Sequence, residues 1–260
     1  MNRSGTILSA QNVSVSYRIP TRRYGSPKEM VLSRLKGEKN PVVEFAALEQ
    51  VSIELKAGEC VGLIGHNGCG KSTLLKVIAG ILSTKAGKVT YEGRLTSLIE
   101  LGAGFDPELP ARDNIFLACT LMGIAKREIN ENLQRIIEFA ELDRFLDFPL
   151  KNYSSGMYAR LGFSCATIIN PDIILVDEVL AVGDEAFQAK CLRRILELKE
   201  NGKGIILVTH DMGAVQRFCD RVYVLDHGRL VYQGPNLEGI AAYRRYQGLP
   251  TEAPAADGPL

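Results

Sequence analysis

An apolar run, Cys60-Val61-Gly62-Leu63-Ile64, leads directly into the octapeptide Gly65-His66-Asn67-Gly68-Cys69-Gly70-Lys71-Ser72. A helical pattern then continues to about Ile81. This succession constrains the fold more than any other feature of the chain. An uninterrupted apolar run of that length suits a strand buried on both faces. The spacing G-x-x-x-x-G-K-S between such a strand and a helix describes a phosphate cradle. Its successive N–H groups must turn inward, which requires backbone angles closed to most side chains. Lys71 supplies a point charge near terminal phosphates and the Ser72 hydroxyl is placed to ligate Mg²⁺. The helix N-terminus adds its positive end. A glycine-rich turn with a surface lysine is the bland alternative, and the motifs downstream set it aside.

The rest of the chain alternates strands with helices. Ile7 to Tyr17 and Ala47 to Leu55 alternate as strands, and Ile173 to Val176 and Gly204 to Thr209 are further buried runs. Lys88 to Tyr91 and Arg94 to Ile99 read as a short antiparallel pair around Glu92-Gly93, and Val222 to Leu225 with Arg229 to Tyr232 as a hairpin around His227-Gly228. Residues 111–148 are mostly helical, with Leu133, Ile136, Ile137 and Ala140 on one face. Ser154 to Ile169, Glu185 to Glu200 and a segment after His210 are helices. This order predicts an α/β fold: a mostly parallel sheet covered on both sides, with a helical insertion between residues 111 and 170.

Residues 18–44 interrupt the pattern with seven basic residues against Glu29, Glu38 and Glu44. Ser26-Pro27-Lys28-Glu29 is a capping box with proline at the first helical position, so a short helix should follow and end at Gly37. Either this insert is a solvated loop with a surface helix, or its basic residues face lipid headgroups beside a membrane partner. The tail from Thr251, rich in Ala, Pro and Gly, should be flexible.

With 260 residues and 46% hydrophobic content, the chain can bury one sizeable core. A net charge of +1 creates no global field for nucleic acid, and none is expected as a partner. The six cysteines form no C-x-x-C pair, which argues against a zinc framework or disulfides and for a reducing compartment. The N-terminus does not read as a signal peptide, and no run approaches the roughly 18 apolar residues of a membrane helix. No membrane span is expected, although docking onto a membrane protein remains open.

Two further strand ends carry chemistry. Ile173 to Val176 delivers Asp177 and Glu178, whose side chains diverge. Asp177 can hold Mg²⁺ through water. Glu178 can act as general base on an attacking water. Thr209-His210-Asp211 follows another buried strand, and in a parallel sheet such ends gather along one edge, where His210 can meet a terminal phosphate or that water. Tyr153-Ser154-Ser155-Gly156-Met157 opens a helix with small residues; by local physics this is an ordinary serine N-cap.

These residues, in this order and over about Ile7 to Gly248, resemble the ATP-binding cassette family. The resemblance implies an ATPase with a mixed-sheet core, an antiparallel subdomain and a helical subdomain at about 105–170, together spanning 1–248, and a tail at 249–260. It implies that Tyr17 stacks on adenine and that Gly65 to Thr73 form the Walker A loop. Asp177 and Glu178 then match Walker B with its catalytic glutamate, Ala181 to Asp184 the D-loop, and His210 the switch histidine. Ser154, Ser155 and Gly156 match a signature motif that reaches the ATP of a second subunit, so a homodimer sandwiching two ATP molecules is implied.

Leu98 to Phe105, Tyr153 to Arg160 and Leu180 to Asp184 are similar to polysaccharide exporters, whose cargo is O-antigen, capsule or teichoic acid. That narrows the expectation to a peripheral subunit on the cytoplasmic face of the bacterial inner membrane, energising a separate permease. Glu100 stands near where a glutamine usually touches Mg²⁺ and the membrane partner, Ser155 replaces the first signature glycine, and Met157 replaces its glutamine. The chain has about a dozen residues after Gly248, so the expectation is a short form without a C-terminal carbohydrate-binding domain. A drug or lipid exporter subunit is the alternative from another transport class. A soluble, non-transport cassette protein fits less well, because the chain has neither paired cassettes nor long coiled-coil arms.

Overall fold

The computed structural model describes residues 5–20, 26, 28, 41–99, 101–177 and 183–249. Cys60–Ile64 (β3) is buried along its whole length and sits mid-sheet, parallel to Gly204–Val208 (β7) on one side and Arg221–Asp226 (β8) on the other. Ile173–Val176 (β6) continues the parallel register outward from β7, Leu95–Ser97 (β5) closes that edge, and Arg229–Pro235 (β9) pairs antiparallel with β8. The resulting order is β5-β6-β7-β3-β8-β9. A second, antiparallel sheet places Thr6–Pro20 (β1) between Val42–Lys56 (β2) and Ala86–Tyr91 (β4).

Lys71–Ile78 (α1) lies between the two sheets, and its Leu74, Leu75 and Ile78 share a core with Val13, Leu48 and Val51 from the smaller sheet and Leu63, Leu175 and Val208 from the larger. Glu185–Glu200 (α5), Met212–Phe218 (α6) and Asn236–Tyr246 (α7) cover the other face, where Phe187, Cys191, Val215 and Ile240 pack on Ile174, Ile205 and Val222. Ala111–Leu121 (α2), Lys126–Ala140 (α3) and Ser155–Ile168 (α4) enclose a third core around Ile115, Ile129, Ile136, Leu161 and Cys165. Inside α4 the buried hydroxyls of Ser164 and Thr167 bond back to the carbonyls of Arg160 (2.7 Å) and Phe163 (2.9 Å), which removes the cost of burying them.

The strands β3, β6 and β7 appear where the apolar runs put them. The expected antiparallel pair at 88–99 does not form. Leu8 pairs with Tyr91, while Leu95 pairs with Ile173 in the other sheet. The Asp172 carboxylate accepts from the Arg94 N–H at 2.9 Å, and the Asp172 N–H donates to the Arg94 carbonyl at 2.8 Å. Asp172 thereby draws the chain away from β4 immediately after Gly93, whose φ of +83° makes the bend.

Sequence reasoning also stopped β1 at Tyr17 and started β2 at Ala47. Both continue as a two-stranded ribbon through the ends of the expected insert, with Arg18 opposite Glu44 and Ile19 opposite Val43. The short helix expected after Ser26 and the flexible tail from Thr251 fall outside the described residues. α7 had no counterpart in the sequence reading. Its buried Gly239, Ile240 and Ala242 are too few for an amphipathic pattern to announce it.

Candidate functional site

Because β3, β6 and β7 run parallel, their C-terminal ends meet one edge of the sheet. That edge receives the phosphate loop, Asp177 and Thr209-His210. The helices that follow these strands begin differently. Asp184 caps α5 by accepting from the Phe187 N–H at 2.9 Å, and Asp211 caps α6 by accepting from Gly213 and Ala214 at 2.8 and 3.2 Å. α1 begins at Gly70 with no side-chain cap and no acidic residue in its first turn. The first N–H groups of that helix are therefore left for an external anion.

The loop's shape requires glycine at both of its ends. A Cβ on Gly65 would strike the Leu225 carbonyl oxygen, and one on Gly70 (φ +112°) would lie 2.8 Å from the Ala47 carbonyl oxygen. Lys71 is 7% exposed, and its ammonium donates to the carbonyls of Gly65 (2.8 Å) and His66 (3.0 Å). A cation held this deeply by neutral carbonyls alone among the described residues fits an anionic ligand that would complete its charge balance. Cys69 points inward and is buried, and burial pushes its thiol pKa up.

A cavity of about 370 Å³ opens over this loop. Tyr17, Phe45, Ala47, Asn67, Gly68, Gly70, Lys71, Ser72, Thr73 and Asp177 line it. It brings together the adenine-stacking candidate, most of the phosphate loop and one of the two strand-end carboxylates. An oxygen pair from Ser72 and Asp177 on a single cavity wall suits Mg²⁺, a hard cation. Phe45 was not singled out in the sequence. It faces Tyr17 directly across the ribbon, so two aromatic rings flank the mouth. The signal was the alternation Val43, Phe45, Ala47, which extends β2 back by two steps.

The other candidates are distributed as follows. Gly65, His66 and Cys69 belong to the loop but not to the cavity lining. His210 is exposed at the end of β7 and is not in the lining. Glu100 and Glu178 lie outside the described residues, as do Ala181 and Val182. Ser154, Ser155 and Gly156 are also absent from the lining. Both serines are exposed at the start of α4, where the Ser154 hydroxyl accepts from the Met157 N–H at 3.2 Å. The ordinary N-cap is therefore present in this structure.

Neighbouring residues are anchored. The Tyr153 hydroxyl donates to the Phe145 carbonyl at 2.7 Å, and burial pushes its pKa up to about 12. Arg160, further along α4, reaches Asp184 at 2.7 Å and Glu141 at 2.8 Å while lying over the Phe187 ring.

A family model described as ABC transporter matches residues 48–181. An "O-antigen export system ATP-binding protein RfbB" of Klebsiella pneumoniae is 49% identical over 211 residues, covering 81% of this chain and 84% of that protein. An "ABC transporter protein AbcA" of Aeromonas salmonicida is 42% identical, covering 89% and 73%. A solved "ATP binding subunit of ABC transporter" superposes with a TM-score of 0.72 at 26% identity, covering 94% of each chain. The cassette MJ0796, solved as a dimer bound to ADP and Pi, shares the fold at a TM-score of 0.69 and 22% identity. No helix of the described residues is long and apolar enough to cross a membrane. With a parallel-sheet edge that carries an uncapped phosphate loop, and with relatives of this kind, the chain belongs to the ABC transporter family as one of its ATP-hydrolysing, nucleotide-binding subunits.

Proposed function

We propose that two copies of the chain sandwich two ATP molecules head to tail and drive export of a lipid-linked, O-antigen-like polysaccharide through a separate membrane permease. The observation that carries the head-to-tail arrangement is the separation of motifs. One cavity collects Tyr17, most of the phosphate loop and Asp177, while Ser154, Ser155 and Gly156 stand outside its lining, both serines exposed and Gly156 half-buried. Residues that the family resemblance assigns to ATP but that do not line the chain's own cavity would be supplied to another copy. The cargo is inferred from relatives named for O-antigen and teichoic acid export.

In this reading Tyr17 and Phe45 hold the base, the α1 N-terminus and Lys71 hold the phosphates, and Ser72 and Asp177 would hold Mg²⁺. That ion, when bound, would neutralise phosphate charge. Glu178 orients and deprotonates the attacking water, and His210 steadies the terminal phosphate. Catalysis is then mostly positioning and charge neutralisation, as phosphoryl transfer requires. The permease docks where α2 meets the segment after β5. A groove of about 210 Å³ there is lined by Ile81, Ala103, Phe105, Leu121 and Met122, with Ile81 and Leu121 exposed. The subunit then lies at the cytoplasmic face of the membrane without spanning it.

Glu178→Gln tests the catalytic assignment. ATP binding should persist, and turnover should fall by at least roughly a hundredfold. Near-normal turnover would remove Glu178 from the mechanism. For the cargo, loss of surface polysaccharide in cells expressing the same variant is expected, and unchanged export would refute it.

A further inference from the structure

Beside the phosphate loop, outside the lining of the ATP cavity, lies a cluster of side chains to which the ATPase reading gives no individual role. His66 within the loop, Asp226 at the end of β8 and His227 in the β8–β9 turn place one ligand atom each within 4.8 Å of one another. His66 Nε2 stands 3.1 Å from Asp226 Oδ1, and His227 Nε2 stands 3.9 Å from the same oxygen. The two imidazole rings are 4.9 Å apart. The turn is already tied to the loop, since the Gly228 N–H donates to the Cys69 carbonyl at 2.9 Å.

The tautomer decides what the cluster can hold. His66 Nδ1 lies 2.8 Å from the Asn67 carbonyl oxygen, which can only accept, so Nδ1 carries the hydrogen. In the neutral ring Nε2 then presents a bare lone pair toward the Asp226 carboxylate. That atom is buried and makes no hydrogen bond, although Asp226 Oδ1 is 3.1 Å away. A bare nitrogen lone pair this close to a carboxylate oxygen repels it unless a proton or a metal cation neutralises the pair.

A ring nitrogen fixed by an N–H bond to a backbone carbonyl is also how metal-binding histidines are oriented. Two donors each about 2.1 Å from a tetrahedral centre are about 3.4 Å apart, within a few tenths of an ångström of the observed pair. His227 is 82% exposed and can swing its ring to supply a third donor.

We propose that His66, Asp226 and His227 form a binding site for a divalent transition-metal ion of the Zn²⁺ type, which pins the β8–β9 turn to the phosphate loop. Imidazole donors separate it from the oxygen-lined pair Ser72 and Asp177, which suits Mg²⁺. The site leaves the nucleotide cavity clear, because none of its three residues lines that cavity. Competing donors are scarce. All six cysteines are buried, and His210 is the remaining histidine of the chain.

The test is calorimetric titration of Zn²⁺ into the nucleotide-free full chain. One equivalent should bind, and His227→Ala and Asp226→Asn should each weaken binding at least about tenfold. Excess Mg²⁺ should leave binding unchanged. Thermal melts of the same proteins should show a Zn²⁺-dependent rise for wild type that His227→Ala, a change at an exposed side chain, abolishes. No Zn²⁺ binding, binding by both variants as tight as by wild type, or displacement by Mg²⁺ would overturn the site.

Discussion

The start of α1 and the start of α4 are both helix N-termini built from small residues, and they are built to opposite ends. At α1 the first turn has no side-chain cap, and its lysine is buried at 7% exposure beneath a cavity. At α4 the serine caps its own helix, and the motif lies outside that cavity in solvent. The first is a site assembled within one chain by the loop after β3, the end of β6 and the β1–β2 ribbon. The second is finished locally and exposes its two serines; in the proposed dimer it would meet phosphates held by another copy. The contrast separates a cavity assembled within one chain from a helix start that is satisfied locally.

The sharpest way to break this contrast is Lys71→Ala. Removing the buried charge should cost roughly a hundredfold or more in turnover and weaken nucleotide binding in the isolated subunit, read by fluorescent-nucleotide titration. Unchanged affinity would mean the α1 side is not the primary phosphate site.

A smaller effect is expected from Arg160→Ala. Arg160 is 18% exposed and ties α4 to α5 through Asp184 and to the end of α3 through Glu141. Its loss should destabilise the fold by about 1–3 kcal/mol. Turnover should fall roughly tenfold with nucleotide binding intact, because the signature end of α4 is no longer held in register with α5. Arg160→Lys should restore only part, since an ammonium cannot span both carboxylates as a guanidinium does. Denaturant unfolding and steady-state hydrolysis together check this.

Ser154→Ala removes the N-cap and should cost about 1 kcal/mol of stability. Nucleotide affinity of the isolated subunit should not change. A loss of affinity as large as that of Lys71→Ala would erase the distinction between the two regions.

The smallest effect concerns pH. The Lys190 ammonium, hydrogen-bonded to Glu141 and joined by Arg160, holds the Glu141 carboxyl below its ordinary pKa. Its contribution is therefore full above the ordinary carboxylate value and disappears as pH falls through the lowered one. Glu141 is half exposed, so this is worth less than about 1 kcal/mol. The stability gap between wild type and Glu141→Gln should close on acidification to about pH 3. A gap that widens in acid would show that the ion pairs do not set it.

The amino-acid order alone determined the three buried strands and the glycine loop, and it predicted that Lys71, Ser72 and Asp177 share one site, which a single cavity brings together. Each of these rests on local covalent facts: apolar continuity, backbone angles open to glycine, and side chains fixed at strand ends. Tertiary structure decided the rest. Glu92-Gly93 looks like a hairpin turn, yet β4 and β5 enter different sheets, because Asp172, remote in sequence, captures Arg94. Phe45 joins Tyr17 at the cavity mouth through cross-strand register, which no single strand encodes. Asp226 and His227 meet His66 through the parallel placement of β8 beside β3. That placement depends on how strands are ordered across a sheet, and so on long-range packing that local sequence pattern does not record.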